Sequence, residues 1–186
     1  MKRKTQKNKG KVICPCCKSL VSFDDYKTLK KGYDVLVKNK GLHLDKLKKF
    51  AKHSHWACDT CIENKKANIA NPLVQHYYGY YLPFFMYFDI EKNCESCSKD
   101  FIFSKEEQKH WYEVLKFYVF SVATRCKDCR KDRRAMIAQN NRLMELTALE
   151  DKTAEQLKEL ADIYHEIGSE EKSRMYANQL KKLNIK

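Results

Sequence analysis

Cys94-Glu95-Ser96-Cys97 and Cys126-Lys127-Asp128-Cys129 are separated by 28 residues, and each closes a C-x-x-C loop. The same device occurs upstream, where Cys14-Pro15-Cys16-Cys17 and Cys58-Asp59-Thr60-Cys61 are separated by 40 residues. Eight of the nine cysteines fall into these two quartets. A C-x-x-C loop lets two sulfurs converge while backbone amides point at them. Two such loops supply the four soft thiolates of a tetrahedral structural zinc ion. The expected cofactor is therefore Zn2+, two ions per chain. The ligands are Cys14, Cys17, Cys58 and Cys61 in the first site and Cys94, Cys97, Cys126 and Cys129 in the second. A closed four-thiolate shell has no open position for water or substrate, so both sites read as structural. The first loop offers three thiols for two positions. Cys14 and Cys17 have the usual spacing, and Cys16, His53 and His55 stay open as substitutes.

The surroundings fit a chain that leans on metal. The 186 residues are 43% hydrophobic and 33% charged, and the mean hydropathy is −0.70. These values permit a core but not a large one, so zinc affinity of about 10 kcal/mol per site becomes folding free energy. A second C-x-x-C at a helix start adds the positive end of the helix dipole, which favours thiolate. No stretch of about 18 apolar residues is present to span a membrane, and no apolar run follows the basic N-terminus as a signal peptide requires. A cytoplasmic location is expected, where thiols stay reduced and metal binding wins over disulfides.

The 37 basic residues outnumber the 24 acidic ones, a net charge of +13 that suits an acidic partner, nucleic acid first. Residues 1–11 read as a disordered basic tail, whereas 135–186 are nearly neutral, with eight basic and nine acidic residues. The intervening chain reads as a first zinc unit (12–70), an aromatic connector (71–88) and a second zinc unit (89–134). In the first unit, Leu20–Phe23 reads as a strand and residues 33–52, broken at Gly41, as two short helices or one helix after a loop. Residues 60–70 read as a further helix. In the second, Phe101-Ile102-Phe103 reads as a strand and Ser104 as the N-cap of a helix with Glu107 at N3. That helix turns Trp111, Leu115, Tyr112 and Val114 inward. Residues 118–122 return as a strand, and a helix runs from Arg130 toward Leu149. The two units look like a loose duplication. Beyond them, Thr153 caps a helix bearing Leu157, Leu160, Ala161 and Tyr164, Gly168 ends it, and a second helix from about Ser169 to Leu183 folds back. The pair resembles one tetratricopeptide repeat, which packs on residues 135–149 because a single repeat makes no solenoid.

The segment Cys94-x-x-Cys97, Phe101-Ile102-Phe103-Ser104-Lys105-Glu106-Glu107-Gln108, Trp111-Tyr112 and Cys126-x-x-Cys129-Arg130-x-x-Arg133-Arg134 resembles the bacterial "probable zinc-ribbon domain" family of treble-clef type over residues 89–134. Trp56-Ala57-Cys58-Asp59-x-Cys61 is similar to a companion zinc unit. The resemblance implies a knuckle, a β-hairpin and a helix around one zinc, and no reaction. The fold class expected is a small α+β zinc-stabilised fold, with two treble-clef or zinc-ribbon units followed by an α-helical hairpin or three-helix bundle.

Function is written into the chain less directly. Arg130, Lys131, Arg133 and Arg134 beside the last knuckle, with Lys46, Lys48 and Lys49 in the lysine-rich stretch, are candidate contacts to RNA or DNA. Aromatics between Tyr77 and Phe88 are candidates for base stacking. The alternative is a protein-interaction adaptor that docks its partner on the C-terminal helices. An enzyme is disfavoured: there is no glycine-rich phosphate loop, nucleophile elbow or H-E-x-x-H, and His53, His55 and His110 have no evident carboxylate partner. No membrane partner is expected.

Overall fold

The computed structural model describes residues 11–40, 55–78 and 81–183. Contact density divides the chain into two compact units, Met1–Cys126 and Lys127–Lys186. The first is α+β and the second all-helical.

In the first unit, Val12–Ile13 (β1) and Leu20–Val21 (β2) pair antiparallel across the Cys14–Cys17 loop. A 3-10 turn at Phe23–Tyr26 leads into helix α1, Lys27–Lys40. This helix starts earlier than its expected start at residue 33, because its inward stripe begins at Leu29 and continues through Tyr33 and Leu36. The backbone N–H groups of Lys27 and Thr28 donate to the Asp59 carboxylate at 2.7 and 3.1 Å. Asp59, in the second C-x-x-C, thus satisfies two orphan donors of a helix 31 and 32 residues upstream. The stretch after Gly41, residues 42–52, lies outside the described residues.

The helix expected over 60–70 is only Asp59–Glu63 (α2). Lys65 turns into the left-handed region at φ 55°. Its neighbour Lys66 donates back to the Cys61 carbonyl at 2.8 Å, ending the helix and releasing Ala67–Ile69 as β3. The partner strand, β4 (Met86–Phe88), comes from the stretch read as a connector, with Ala67 opposite Phe88. Its three residues are all buried, and Phe85 beside them packs in one cluster with Trp56, Leu29 and Tyr33. The aromatic run is therefore largely core.

Ile90–Asn93 (β5) and Asp100–Phe103 (β6) form the second hairpin, Ile90 opposite Phe103. Ser104 caps helix α3, Lys105–Lys109, its Oγ accepting from the Glu107 N–H at 3.1 Å. The helix then widens into a π turn over His110–Val114. The extra residue per turn rotates the side chains beyond it about the helix axis. Tyr112 is buried, but Val114 and Leu115, expected inward, are 62% and 46% exposed. Gln108 donates to the Phe88 and Phe103 carbonyls at 2.7 Å each, fastening α3 to the ends of β4 and β6. The strand expected at 118–122 is a turn instead. The Ser121 N–H closes on the Tyr118 carbonyl at 2.8 Å, and Tyr118 pairs with His76 in an isolated bridge outside the sheets.

The second unit holds α4 (Lys127–Ala148), α5 (Ala154–Glu166) and α6 (Glu170–Leu183). Thr153 and Gln156 form the reciprocal capping box at the start of α5, and Gly168 at φ 77° ends the turn after it. Leu160, Ile163 and Tyr164 pack with Leu143 and Leu146 of α4 and with Tyr176 of α6. Hairpin and bundle, both left open by the sequence, are thus combined: α5 and α6 form the hairpin and the last turns of α4 complete a three-helix core.

Gly32 on α1 faces the buried Phe85 ring, and a Cβ there would lie 2.7 Å from Phe85 Cδ1. Gly32→Ala adds about 1 kcal/mol of helix propensity but overpacks a closed core, at a cost of about 1–3 kcal/mol. The zinc-loaded variant is expected to melt below the parent when followed by near-UV circular dichroism. A raised Tm would show that Phe85 moves freely.

Candidate metal centres

The two first-pair loops are built bond for bond alike. In one, the Cys14 N–H donates to the Ser19 carbonyl (2.9 Å) and the Lys18 N–H to the Cys14 carbonyl (2.9 Å). In the other, the Cys94 N–H donates to the Lys99 carbonyl (2.9 Å) and the Ser98 N–H to the Cys94 carbonyl (2.8 Å). The residue after each second cysteine takes a positive φ, 61° at Lys18 and 56° at Ser98. Neither is glycine, so each loop holds a conformation that costs about 1–2 kcal/mol. That turn brings the chain back as a strand and leaves both sulfurs on one side.

The second pairs are equally matched. Cys58 precedes α2 and Cys61 lies within it; Cys126 precedes α4 and Cys129 lies in its first turn. The Cys58 N–H donates to Cys14 Sγ at 3.2 Å, and the Cys126 N–H to Cys94 Sγ at 3.3 Å. The duplication suggested by cysteine spacing thus extends to the hydrogen bonds that aim the sulfurs.

Within each quartet the four sulfurs lie within 4.8 Å of one another. Cys17 and Cys58 are 3.8 Å apart, Cys58 and Cys61 3.5 Å, and Cys97 and Cys126 3.8 Å. Zn–S bonds of about 2.3 Å in a tetrahedron place sulfurs about 3.8 Å apart, whereas a disulfide would bring them to about 2.05 Å. None of the nine cysteines is in a disulfide. The donor set and its dimensions fit one zinc ion per quartet.

Thiol acidity points the same way. The Cys126 N–H lowers Cys94 to about 6, helped by the amides of Cys97 and Ser96 and opposed by burial. Burial raises Cys17, but the Ser19 hydroxyl and amide outweigh it and bring that thiol down to about 6. Burial pushes Cys58 up to about 11 and Cys61 well above its ordinary value. Each loop thus favours a thiolate, and a dication is what makes the rest of the quartet ionise together.

Two of the three alternatives for the first site, Cys16 and His55, stand apart from its four sulfurs. Cys16 lies half-buried outside the quartet. The His55 ring lies 4.6 Å from the Phe84 ring and stacks on Phe88 at 4.2 Å; burial of the ring pushes its pKa down to about 4, and it packs among aromatics outside the quartet. His53 falls outside the described residues. The sites differ in cover: Cys14, Cys58 and Cys61 are buried in the first, but only Cys94 in the second.

Residues 88–137 match the family model of a probable treble clef domain. No curated protein and no solved structure matches the chain. The matched segment holds the β5–β6 knuckle, α3 and the start of α4, the parts that a treble clef arranges around its zinc. The upstream quartet repeats the same knuckle and helix start as a companion unit.

Of the proposed nucleic-acid contacts, Lys131, Arg133 and Arg134 are exposed on the first turns of α4 and Arg130 beside them is half-buried. Lys46, Lys48 and Lys49 lie outside the described residues. Sequence reasoning passed over Lys27, Lys30 and Lys31, which with Lys38 of the lysine-rich stretch are exposed on the face of α1 opposite Leu29, Tyr33 and Leu36. Their helical spacing was a legible signal once α1 began at residue 27. Among the described residues, no helix is long and apolar enough to cross a membrane.

Elemental analysis of the purified chain should give two zinc ions, and Cys61→Ser or Cys126→Ser one. Each of these two variants should lose the cooperative near-UV transition, since zinc supplies about 10 kcal/mol per site. Cys16→Ser should keep both ions.

Proposed function

We propose that this is a zinc-scaffolded protein that binds nucleic acid through its basic surface. The observation that carries the reading is where the charge sits. Up to Cys126 the chain has 24 basic and 13 acidic residues; from Lys127 on it has 13 and 11. The unit built around the two knuckles therefore carries nearly all the excess. It places Lys27, Lys30, Lys31 and Lys38 outward on α1 with only Asp34 among them. A rigid scaffold bearing cations on one helix face suits a polyanion. Closed four-thiolate sites favour binding over catalysis, and zinc-held thiols suit a reducing compartment such as the cytoplasm.

A second reading, a protein-interaction adaptor, draws on the tetratricopeptide-like hairpin. Ile167, Met175 and Leu183 there are 47%, 43% and 44% exposed. The two readings differ in salt response. Affinity for mixed RNA and DNA oligonucleotides should fall at least about 100-fold between about 50 and 200 mM salt, because each phosphate contact releases counterion. Replacing Lys27, Lys30 and Lys31 together by Gln should lower the log–log salt slope by about 3 and leave zinc content intact. A flat salt response would turn the reading toward apolar docking.

A further inference from the structure

Three exposed rings, one from the aromatic run and two from the 117–120 segment, lie in contact with one another. The turn closed by Ser121 sends Val119 inward, 4% exposed, and leaves Tyr118 and Phe120 outside, 48% and 49% exposed. Those two rings are nearly parallel, 13° between planes and 5.2 Å between centroids. Tyr81, 56% exposed, continues the row at 5.2 Å from Phe120. His76 flanks the other end, 5.9 Å from Tyr118. Half-exposed rings in contact are a costly surface for a protein with so small a core, and such patches mark a partner.

Charge says which partner. The segments that supply these rings, 81–88 and 114–126, contain no Asp or Glu up to Phe88 and Cys126 but do contain Lys116 and Arg125. The Lys116 Nζ donates to the Val74 carbonyl at 2.9 Å. The face belongs to the unit that carries the cationic excess. Exposed rings on segments that carry no Asp or Glu, with Lys116 on one of them, are a combination suited to stacking unpaired bases while cations hold the phosphates. Bases inside a duplex cannot reach such rings.

We propose that Tyr81, Phe120 and Tyr118 form a stacking platform for unpaired bases, so that the nucleic acid bound is single-stranded. The proposal rests on the nucleic-acid reading above and adds its substrate class.

The test uses the zinc-loaded full chain and fluorescence anisotropy. The probes are labelled oligo-uridine and oligo-thymidine of about 12 nucleotides, within the usual single-strand site size, and a duplex of the same length. The parent should prefer the single strands. Tyr118→Leu with Phe120→Leu keeps apolar area but removes the rings. It should weaken single-strand binding about tenfold or more, with the salt slope and duplex binding unchanged. Tyr118→Trp with Phe120→Trp should restore the affinity, and Tyr81→Leu alone should give a several-fold loss. Two zinc ions per variant confirm the fold. Equal binding by the leucine variant, or equal preference for the duplex, overturns the platform and leaves the basic-surface reading standing. Binding of no oligonucleotide at any salt overturns both. Self-association by sedimentation that survives the leucine changes and competes with oligonucleotide would assign the face to a second copy, and overturns the platform as well.

Discussion

Four thiolates within 4.8 Å of one another repel unless a cation sits among them, and this chain builds that arrangement twice. Much of the first unit can be read as the means of holding the sulfurs in place. Non-glycine residues in left-handed turns, Lys18 and Ser98, fold each knuckle back on itself. One amide in each site, that of Cys58 or Cys126, is directed at a sulfur. Asp59, one residue from a ligand, holds the start of α1, so the helix that carries the exposed lysines is positioned from the zinc site. Metal binding, helix placement and cationic surface are consequently parts of one chain of contacts.

The two knuckles do not fold as beads on a string. A single residue, Asp89, separates β4 from β5, and its carboxylate accepts from the Lys105 N–H at 2.9 Å at the start of α3. Gln108 then bonds the carbonyls of both β4 and β6. Two small units, each with a two-stranded sheet too short to stand alone, gain stability by sharing strands, helix and aromatic core. Shared packing also leaves some rings over. Phe85, Tyr87 and Phe88 fill the interior, while Tyr81, Tyr118 and Phe120 do not fit there and lie on the surface.

Much of the cysteine chemistry was legible in the chain. Ligand spacing is local, and a C-x-x-C loop converges its sulfurs wherever the rest of the fold lies. The helix caps at Ser104 and Thr153 were legible for the same reason: a side chain bonding a backbone N–H three residues on needs no tertiary partner. The misreadings have a common cause as well. Residues 64–70 and 110–115 keep helical composition, yet a left-handed Lys65 and a π turn end or rotate the helix there.

By itself, then, the sequence determined two four-cysteine zinc sites, their duplication, the capped C-terminal hairpin and a cationic chain, because each depends on contacts between near neighbours or on composition alone. Only the tertiary structure decided which aromatics are core and which are surface, and that Cys16 and His55 stand outside the first site. It also decided that the lysines of α1 face outward as a group. Those outcomes depend on which residues win the limited interior around the metal, and that competition is settled between segments far apart in the chain.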